Sequence, residues 1–481
     1  MLQDARVLTD TRAQAARILG SFNRNERKSL LRTLSCVLVA ALVVWLPGWF
    51  GLSVYDGLSA AGRASLGIVV LAALLWITEA MPAFAVALLV IGLQVGILGR
   101  PGGVFAAEGD KQVWLMFVAP WASSIMWLFI GGFVLAHACA KTKLDEWLAG
   151  MLLRRLLGKP ALLVLGIMAV TYVFSMFMSN TATAAMVMTM TAPVLLGMGK
   201  EAKLGRGMVL AVACGANLGG MATIIGTPPN AIVAGQLPAG QKIQFLEWMG
   251  IALPPSLMLA AVAYAYIWWR YVRGEQTQVN ELEREPSDDR TLRQRVVVMI
   301  FFAITLILWM GGSFWGVSAP VASLVPIVGL AVCGVMTAED INELPWDVLL
   351  LLAGGLSLGV GVNETGLANW FAEQIPIGLP PLGVAMAFAM VGLVLSNLMS
   401  NTAAAALLIP LSASLVAPEN VRLVMVAVAI ACSSSMCLPI STPPNAIAYS
   451  SGRLRAVDFL VPGLIIAVLI PLAVLWLSVV T

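Results

Sequence analysis

Charge is what this sequence has least of: Asp, Glu, Lys and Arg make up 11% of its 481 residues, and histidine occurs once, as His137. A soluble chain of this length needs a far more polar surface, so a protein free in water is excluded. The formal charge of +3, with basic residues scattered at the ends of apolar runs, excludes a nucleic-acid partner. One histidine and no Asp/Glu pair inside the apolar runs leave neither a base for a nucleophile nor a metal centre, which argues against an intramembrane enzyme. The six cysteines (Cys36, Cys139, Cys214, Cys333, Cys432, Cys437) form no CxxC and no His/Cys cluster. They read as small core residues, with no disulfide and no cofactor implied.

What the chain has in excess is apolar length: 60% of residues are hydrophobic and the mean hydropathy is +0.91. A spanning helix takes about 20 mostly apolar residues, and such runs recur from Ser35 to the last residue. The expected fold is an all-α polytopic membrane protein with about 11 transmembrane helices. Two further apolar stretches, 161–197 and 378–417, are interrupted midway and read as re-entrant helical hairpins. The arginine-rich residues 1–33 read as a cytoplasmic tail, partly helical, and 34–66 as a first helix with an outer loop. A first repeat (67–272) and a second (296–481) flank the linker 273–295, where charges of both signs and Pro286 replace apolar periodicity. The N-terminal tail, the 141–159 and 200–206 stretches, the linker and Arg453/Arg455 all fall on one side of this arrangement. Basic residues mark the cytoplasmic face, so the N-terminus is expected inside a cell (inner) membrane and the C-terminus outside.

The two halves share specific strings. Ser175-Met176-Phe177-Met178-Ser179-Asn180-Thr181 matches Ser396-Asn397-Leu398-Met399-Ser400-Asn401-Thr402, both S-x-x-M-S-N-T inside the hairpins. Further on, Gly226-Thr227-Pro228-Pro229-Asn230 matches Ser441-Thr442-Pro443-Pro444-Asn445 inside the spans 207–233 and 421–448. A weaker match precedes them, Gly131-Gly132 with Trp147 against Gly354-Gly355 with Trp370. An odd number of crossings separates the copies, so the second is inverted and the two hairpin tips are expected to meet near the midplane.

Irregular backbone at membrane depth survives only where it lines a cavity or is buried in protein. Consecutive prolines stop a helix and leave free carbonyls behind them, and Asn230 and Asn445 are expected to cap the half-helices that follow. Carbonyls, serine hydroxyls and asparagine oxygens suit a hard cation such as sodium, while free N–H groups at half-helix starts suit carboxylates. Ser175 precedes Ser179 by one helical turn, as Ser396 precedes Ser400, so each pair shares a face. None of these motifs contains Lys, Arg or His, so the charge that neutralises an anion has to arrive with it. Moving a dianion against 100 mV, negative inside, costs about 4.6 kcal/mol, and two sodium ions cancel that. One Ser-Asn-Thr by itself would more often be a packing feature; two inverted copies, each followed by Thr-Pro-Pro-Asn, reverse the odds. Glu79 is expected to snorkel to the membrane interface and His137 to sit near it.

At these residues the chain resembles the divalent anion/sodium symporter family, the INDY-type dicarboxylate and citrate transporters, over roughly residues 60 to 480. The resemblance implies a homodimer in which a scaffold holds the dimer and a transport domain moves as an elevator. It puts one sodium at Ser175, Ser179, Asn180 and Gly226 and another at Ser396, Ser400, Asn401 and Ser441. The substrate carboxylates would meet Asn180, Thr181, Thr227, Asn401, Thr402, Thr442 and Pro443. The activity implied is sodium-coupled symport of C4-type dicarboxylates such as succinate, malate and fumarate. A sodium-independent dicarboxylate exchanger of the same fold, or a citrate or 2-oxoglutarate carrier, is the alternative.

Overall fold

The computed structural model describes residues 24–50, 54–106, 112–156, 158–275, 289–374 and 380–481. Most of the tail and of the linker therefore lie outside the described residues. Among the described residues every regular element is helical. Helices α1 (Arg24–Trp49), α2 (Ala60–Thr78) and α3 (Ala83–Leu93, prolonged by a π turn to Gly99) lead to α4 (Ser124–Lys141) and the short α5 (Leu144–Arg154). A hairpin of α6 (Pro160–Ser175) and α7 (Asn180–Leu196) follows, then the broken helix α8 (Lys203–Met221) and α9 (Pro228–Gln236), and α10 (Phe245–Ile267). The second half runs in the same order: α11 (Asp289–Trp315), α12 (Leu324–Val332), α13 (Trp346–Glu364), α14 (Leu367–Gln374), a hairpin of α15 (Pro381–Leu398) and α16 (Asn401–Ala413), the broken helix α17 (Val421–Ser433) and α18 (Pro443–Ser450), and α19 (Ala456–Val480).

Among the described residues eight helices are long and apolar enough to cross a membrane on their own, against the eleven crossings expected. The difference has a physical origin. Stretches 83–99 and 319–332 are too short, and 203–236 and 421–450 are split at their prolines. α15 is long enough to cross, yet the chain turns at Met399 and α16 packs back along it. Two starts also differ. α1 already runs through residues 24–34, ahead of the expected start, because the charged residues before Ser35 are good helix formers. α2 begins at Ala60, within the expected outer loop, because Ser59 Oγ accepts the Gly62 N–H at 2.9 Å as its N-cap.

The halves interlock instead of packing side by side. α3 of the first lies against α13 of the second, and α12 of the second against α4 of the first. The paired glycines make both crossings possible: a Cβ on Gly354 would stand 2.3 Å from Ala87 Cβ, and one on Gly131 2.5 Å from Ser323 Cβ. α9 reaches across to α16 and α17, and α18 to α7 and α8.

The basic stretches 200–206 and 453–455 meet at one end of the bundle. Arg453 Nη1 donates to Gly199 O at 2.8 Å, and Arg206 Nη2 reaches both Asp458 oxygens at 2.6 and 2.7 Å while Tyr271 OH donates to the same carboxylate. The Arg422–Glu247 pair joins the bundle at the opposite end. His137 is not simply interfacial: it lies 3.2 Å from Asp340, which also takes Lys141 Nζ at 2.6 Å. Burial works against the Asp340 carboxylate, but donors from Lys141, Thr337 and His137 outweigh it and hold that carboxyl well below the usual range. Of the cysteines, all free, Cys36, Cys139, Cys214 and Cys432 are buried, Cys437 is half-buried and Cys333 is exposed.

Candidate functional site

Each hairpin turns at a serine that caps its returning helix. Ser179 Oγ accepts the Ala182 N–H at 3.1 Å and Ser400 Oγ the Ala403 N–H at 3.2 Å, which fixes the starts of α7 and α16. Asn180-Thr181 and Asn401-Thr402 thus become the first turns of two helices, where main-chain N–H groups have no intrahelical acceptor. At the two breaks, Thr227 and Thr442 take extended backbone before the prolines, which occupy the first turns of α9 and α18.

The asparagines after the prolines do something other than expected. Asn230 Nδ2 lies 3.1, 3.2 and 2.7 Å from the carbonyls of Gly220, Met221 and Thr223. Asn445 Nδ2 lies 3.0 and 2.9 Å from those of Met436 and Leu438. They hold the end of the preceding half-helix, not the start of the next. At the second break the N-cap role falls to threonine, as Thr442 Oγ1 accepts the Asn445 N–H at 3.4 Å, whereas Thr227 Oγ1 pairs with Ser433 Oγ instead. The reason is the prolines themselves: they leave orphan acceptors upstream and remove donors downstream.

Tips and breaks converge on one cavity of about 530 Å³. Ser179, Asn180, Thr181, Gly226, Thr227, Ser400, Asn401, Thr402, Ser441, Thr442 and Pro443 line it. Ser175 and Ser396 stand fully buried behind it. Ser175 Oγ is 2.6 Å from the Asn180 amide and 2.7 Å from Ala216 O; Ser396 Oγ is 2.7 Å from Asn401 Oδ1 and 2.9 Å from Cys432 O. The sequence-derived residues are therefore brought together, in two sets related by the repeat.

The first set turns on the orientation of one amide. The amide end that Asn180 turns inward is 2.6 Å from Ser175 Oγ, 3.3 Å from Ala216 O and 3.2 Å from Gly226 O. With nitrogen inward it donates to all three. With oxygen inward, the Ser175 hydroxyl is the single donor among four oxygens, so the nitrogen-inward arrangement is the satisfied one when no cation is bound. In the second set Ser435 Oγ, 3.4 Å from Asn401 Oδ1, supplies a donor.

Among the described residues no Lys, Arg or His lines the cavity, and the one charged residue there is Glu79. Glu79, expected at a helix end, also borders the cavity. It caps α2 in the left-handed region (φ 48, ψ 37) and is exposed at the cavity's edge, beside the start of α13 at Val348. That edge is near the start of α1, whose Ser29 Oγ donates to Ala80 O. Asn217, Ser433, Ser435 and Glu79 are the site residues that sequence reasoning missed. The serine run 433–435 preceding a proline break was the available signal for two of them.

The citrate transporter family profile matches residues 73–431. The sodium-dependent dicarboxylate transporter SdcS of Staphylococcus saprophyticus is 32% identical, with 83% of this chain and 82% of the relative covered. Its Staphylococcus aureus namesake is 30% identical, with 79% and 78% covered. Among solved structures, the Alcanivorax borkumensis YdaH transporter superposes with a TM-score of 0.54 at 13% identity, covering 83% of this chain and 98% of that one. Neisseria gonorrhoeae MtrF gives 0.51 at 12%, covering 83% and 94%. Those two likenesses are of fold alone.

Proposed function

The chain belongs to the citrate transporter family, of the divalent anion/sodium symporter type, and is a multi-span membrane transporter, not an enzyme; from that premise we propose that it carries C4-type dicarboxylates (succinate, malate or fumarate) into the cell in symport with sodium. The observation that carries this reading is a cavity lined by both Ser-Asn-Thr tips and both Thr-Pro-Pro breaks with no cationic side chain among the described residues. Sodium is cargo here. Ser175, Ser179, Asn180 and Gly226 would hold one ion, and Ser396, Ser400, Asn401 and Ser441 a second, through oxygens alone. The ions, together with the N–H groups opening α7 and α16, would offset the two substrate carboxylates at Asn180, Thr181, Asn401, Thr402, Thr227, Thr442 and Pro443.

Alternating access would follow from moving the hairpins and broken helices past α2–α4 and α11–α13 as an elevator, in a homodimer of the inner membrane. The cavity's edge at Glu79 and Val348 shares its end with the start of α1. On the expected orientation, with residues 1–33 cytoplasmic, this conformation faces inward.

The test is uptake of radiolabelled succinate into proteoliposomes, with and without an inward sodium gradient and with or without succinate inside. Uptake into empty vesicles that collapses when choline replaces sodium is the expected result. Uptake indifferent to sodium but dependent on internal dicarboxylate would make the protein an exchanger and reduce the serine sets to structural roles.

A further inference from the structure

Asn217, on α8, is fully buried and lines the cavity, and its Oδ1 has no hydrogen-bond partner. A buried acceptor left unpaired is uncommon enough to need a reason. Misassignment of the amide is not the reason, because its direction is fixed from the far end of a chain of bonds. Asn445 must turn its nitrogen toward Met436 O and Leu438 O, with Ser441 Oγ at 3.5 Å. Its oxygen therefore faces Asn217, whose Nδ2 donates to it at 2.9 Å. Asn217 is left with its oxygen free.

The other half of the molecule has no such vacancy. Ser433 holds the corresponding place on α17, and its hydroxyl is engaged by Thr227 Oγ1 at 2.8 Å and by Asn230 Oδ1 at 3.5 Å. A cavity whose tips and breaks come in inverted pairs is thus unsymmetrical at one point, a spare acceptor beside the second break.

We propose that Asn217 Oδ1 recognises an O–H donor on the cargo, so that among dicarboxylates the site prefers one bearing a single hydroxyl, a 2-hydroxy acid, over its unsubstituted analogue. The inference rests on the dicarboxylate reading and sharpens it. Near neutral pH both carboxyl groups of such a ligand are ionised and can only accept hydrogen bonds. A hydroxyl is then the one donor the ligand owns. At lower pH a protonated carboxyl offers the same chemistry, and the test separates the two sources.

Purified protein in saturating sodium is titrated with succinate and with malate by calorimetry at pH 7.5, and with succinate again at pH 5. Wild type is expected to bind malate about 5- to 10-fold more tightly, the contribution of one neutral hydrogen bond. Asn217→Ser copies the Ser433 arrangement: its hydroxyl can hold Asn445 while leaving no directed spare acceptor, and the malate-to-succinate ratio should fall to about one. Asn217→Ala should abolish the ratio too, whatever it does to overall affinity. Equal binding of both ligands by wild type, or a preference that survives in Asn217→Ser, overturns the proposal. So does tighter succinate binding at pH 5 without any malate preference at pH 7.5, which would assign the acceptor to a protonated carboxyl. Failure of both ligands to bind would overturn the dicarboxylate reading itself, whereas succinate binding without discrimination sinks only this inference.

Discussion

The two half-sites carry the same motif and close it by different means. In the first, backbone meets backbone: Gly226 lies so near Gly220 that a Cβ would stand 2.3 Å from its carbonyl oxygen, and one amide nitrogen, that of Asn180, serves Ser175 Oγ, Ala216 O and Gly226 O together. In the second, side chains fill the space, with Ser435 near Asn401 and Ser441 Oγ donating to Leu438 O at 2.8 Å. One half-site is rigid and intolerant, the other adjustable. A pseudo-symmetric pair need not be functionally equivalent, and substitutions at matched positions separate them.

The largest separation is expected between Gly226→Ala and Ser441→Ala. The first drives a methyl into a carbonyl that cannot move without opening the break, and uptake should fall by roughly 100-fold or more. The second keeps an existing Cβ and removes two local hydrogen bonds, the one from Asn445 long at 3.5 Å, so the loss should stay under about tenfold. Similar losses at the two positions would mean that the halves are closed alike.

Asp145 on α5 offers a second contrast, because the matching residue on α14 is Ala368. Burial raises the Asp145 carboxyl to about 6, with its Glu146 N–H bond and nearby Arg295 opposing. A folded-state value above the unfolded one favours the protonated form. Its contribution to stability is complete below about pH 4 and is lost as pH rises through about 6. Asp145→Asn should therefore raise thermal stability at pH 7.5, by up to about 3 kcal/mol, with the gap closing below pH 4. A gap that does not change with pH would show the ionised carboxylate to be comfortable where it is.

Smaller effects are expected at Glu79, the one charged residue lining the cavity among the described residues. Glu79→Gln removes the cavity's fixed charge and should tighten dicarboxylate binding about three- to fivefold at low salt. Glu79→Gly should do the same and also raise stability by about 1 kcal/mol, since the left-handed backbone then carries no side chain. If only the glycine variant changes binding, conformation and not charge governs that edge.

Much of this site was legible in the sequence. Ser-Asn-Thr and Thr-Pro-Pro-Asn announced themselves because prolines and paired polar residues are costly in a bilayer and recurred in order. Asn217 and Ser433 escaped notice because they match in position and differ in residue, so no repeated string marks them. The direction in which Asn230 and Asn445 point was also hidden: an asparagine near a proline break can serve either half-helix, and only the fold decides which carbonyls are within reach. Glu79 was read by its place at a helix end, which cannot tell a lipid-facing end from one that borders a cavity.

The claim that each half-site holds one coupling ion is tested most directly by the sodium dependence of succinate uptake in wild type, Ser175→Ala and Ser396→Ala. Both serines are buried and each bonds the asparagine of its own half, so each variant should weaken one ion and leave the other. The account predicts a sigmoidal curve in wild type whose steepness drops in either variant, with half-saturation moved to higher sodium by about tenfold. Unchanged curves in both variants would contradict it.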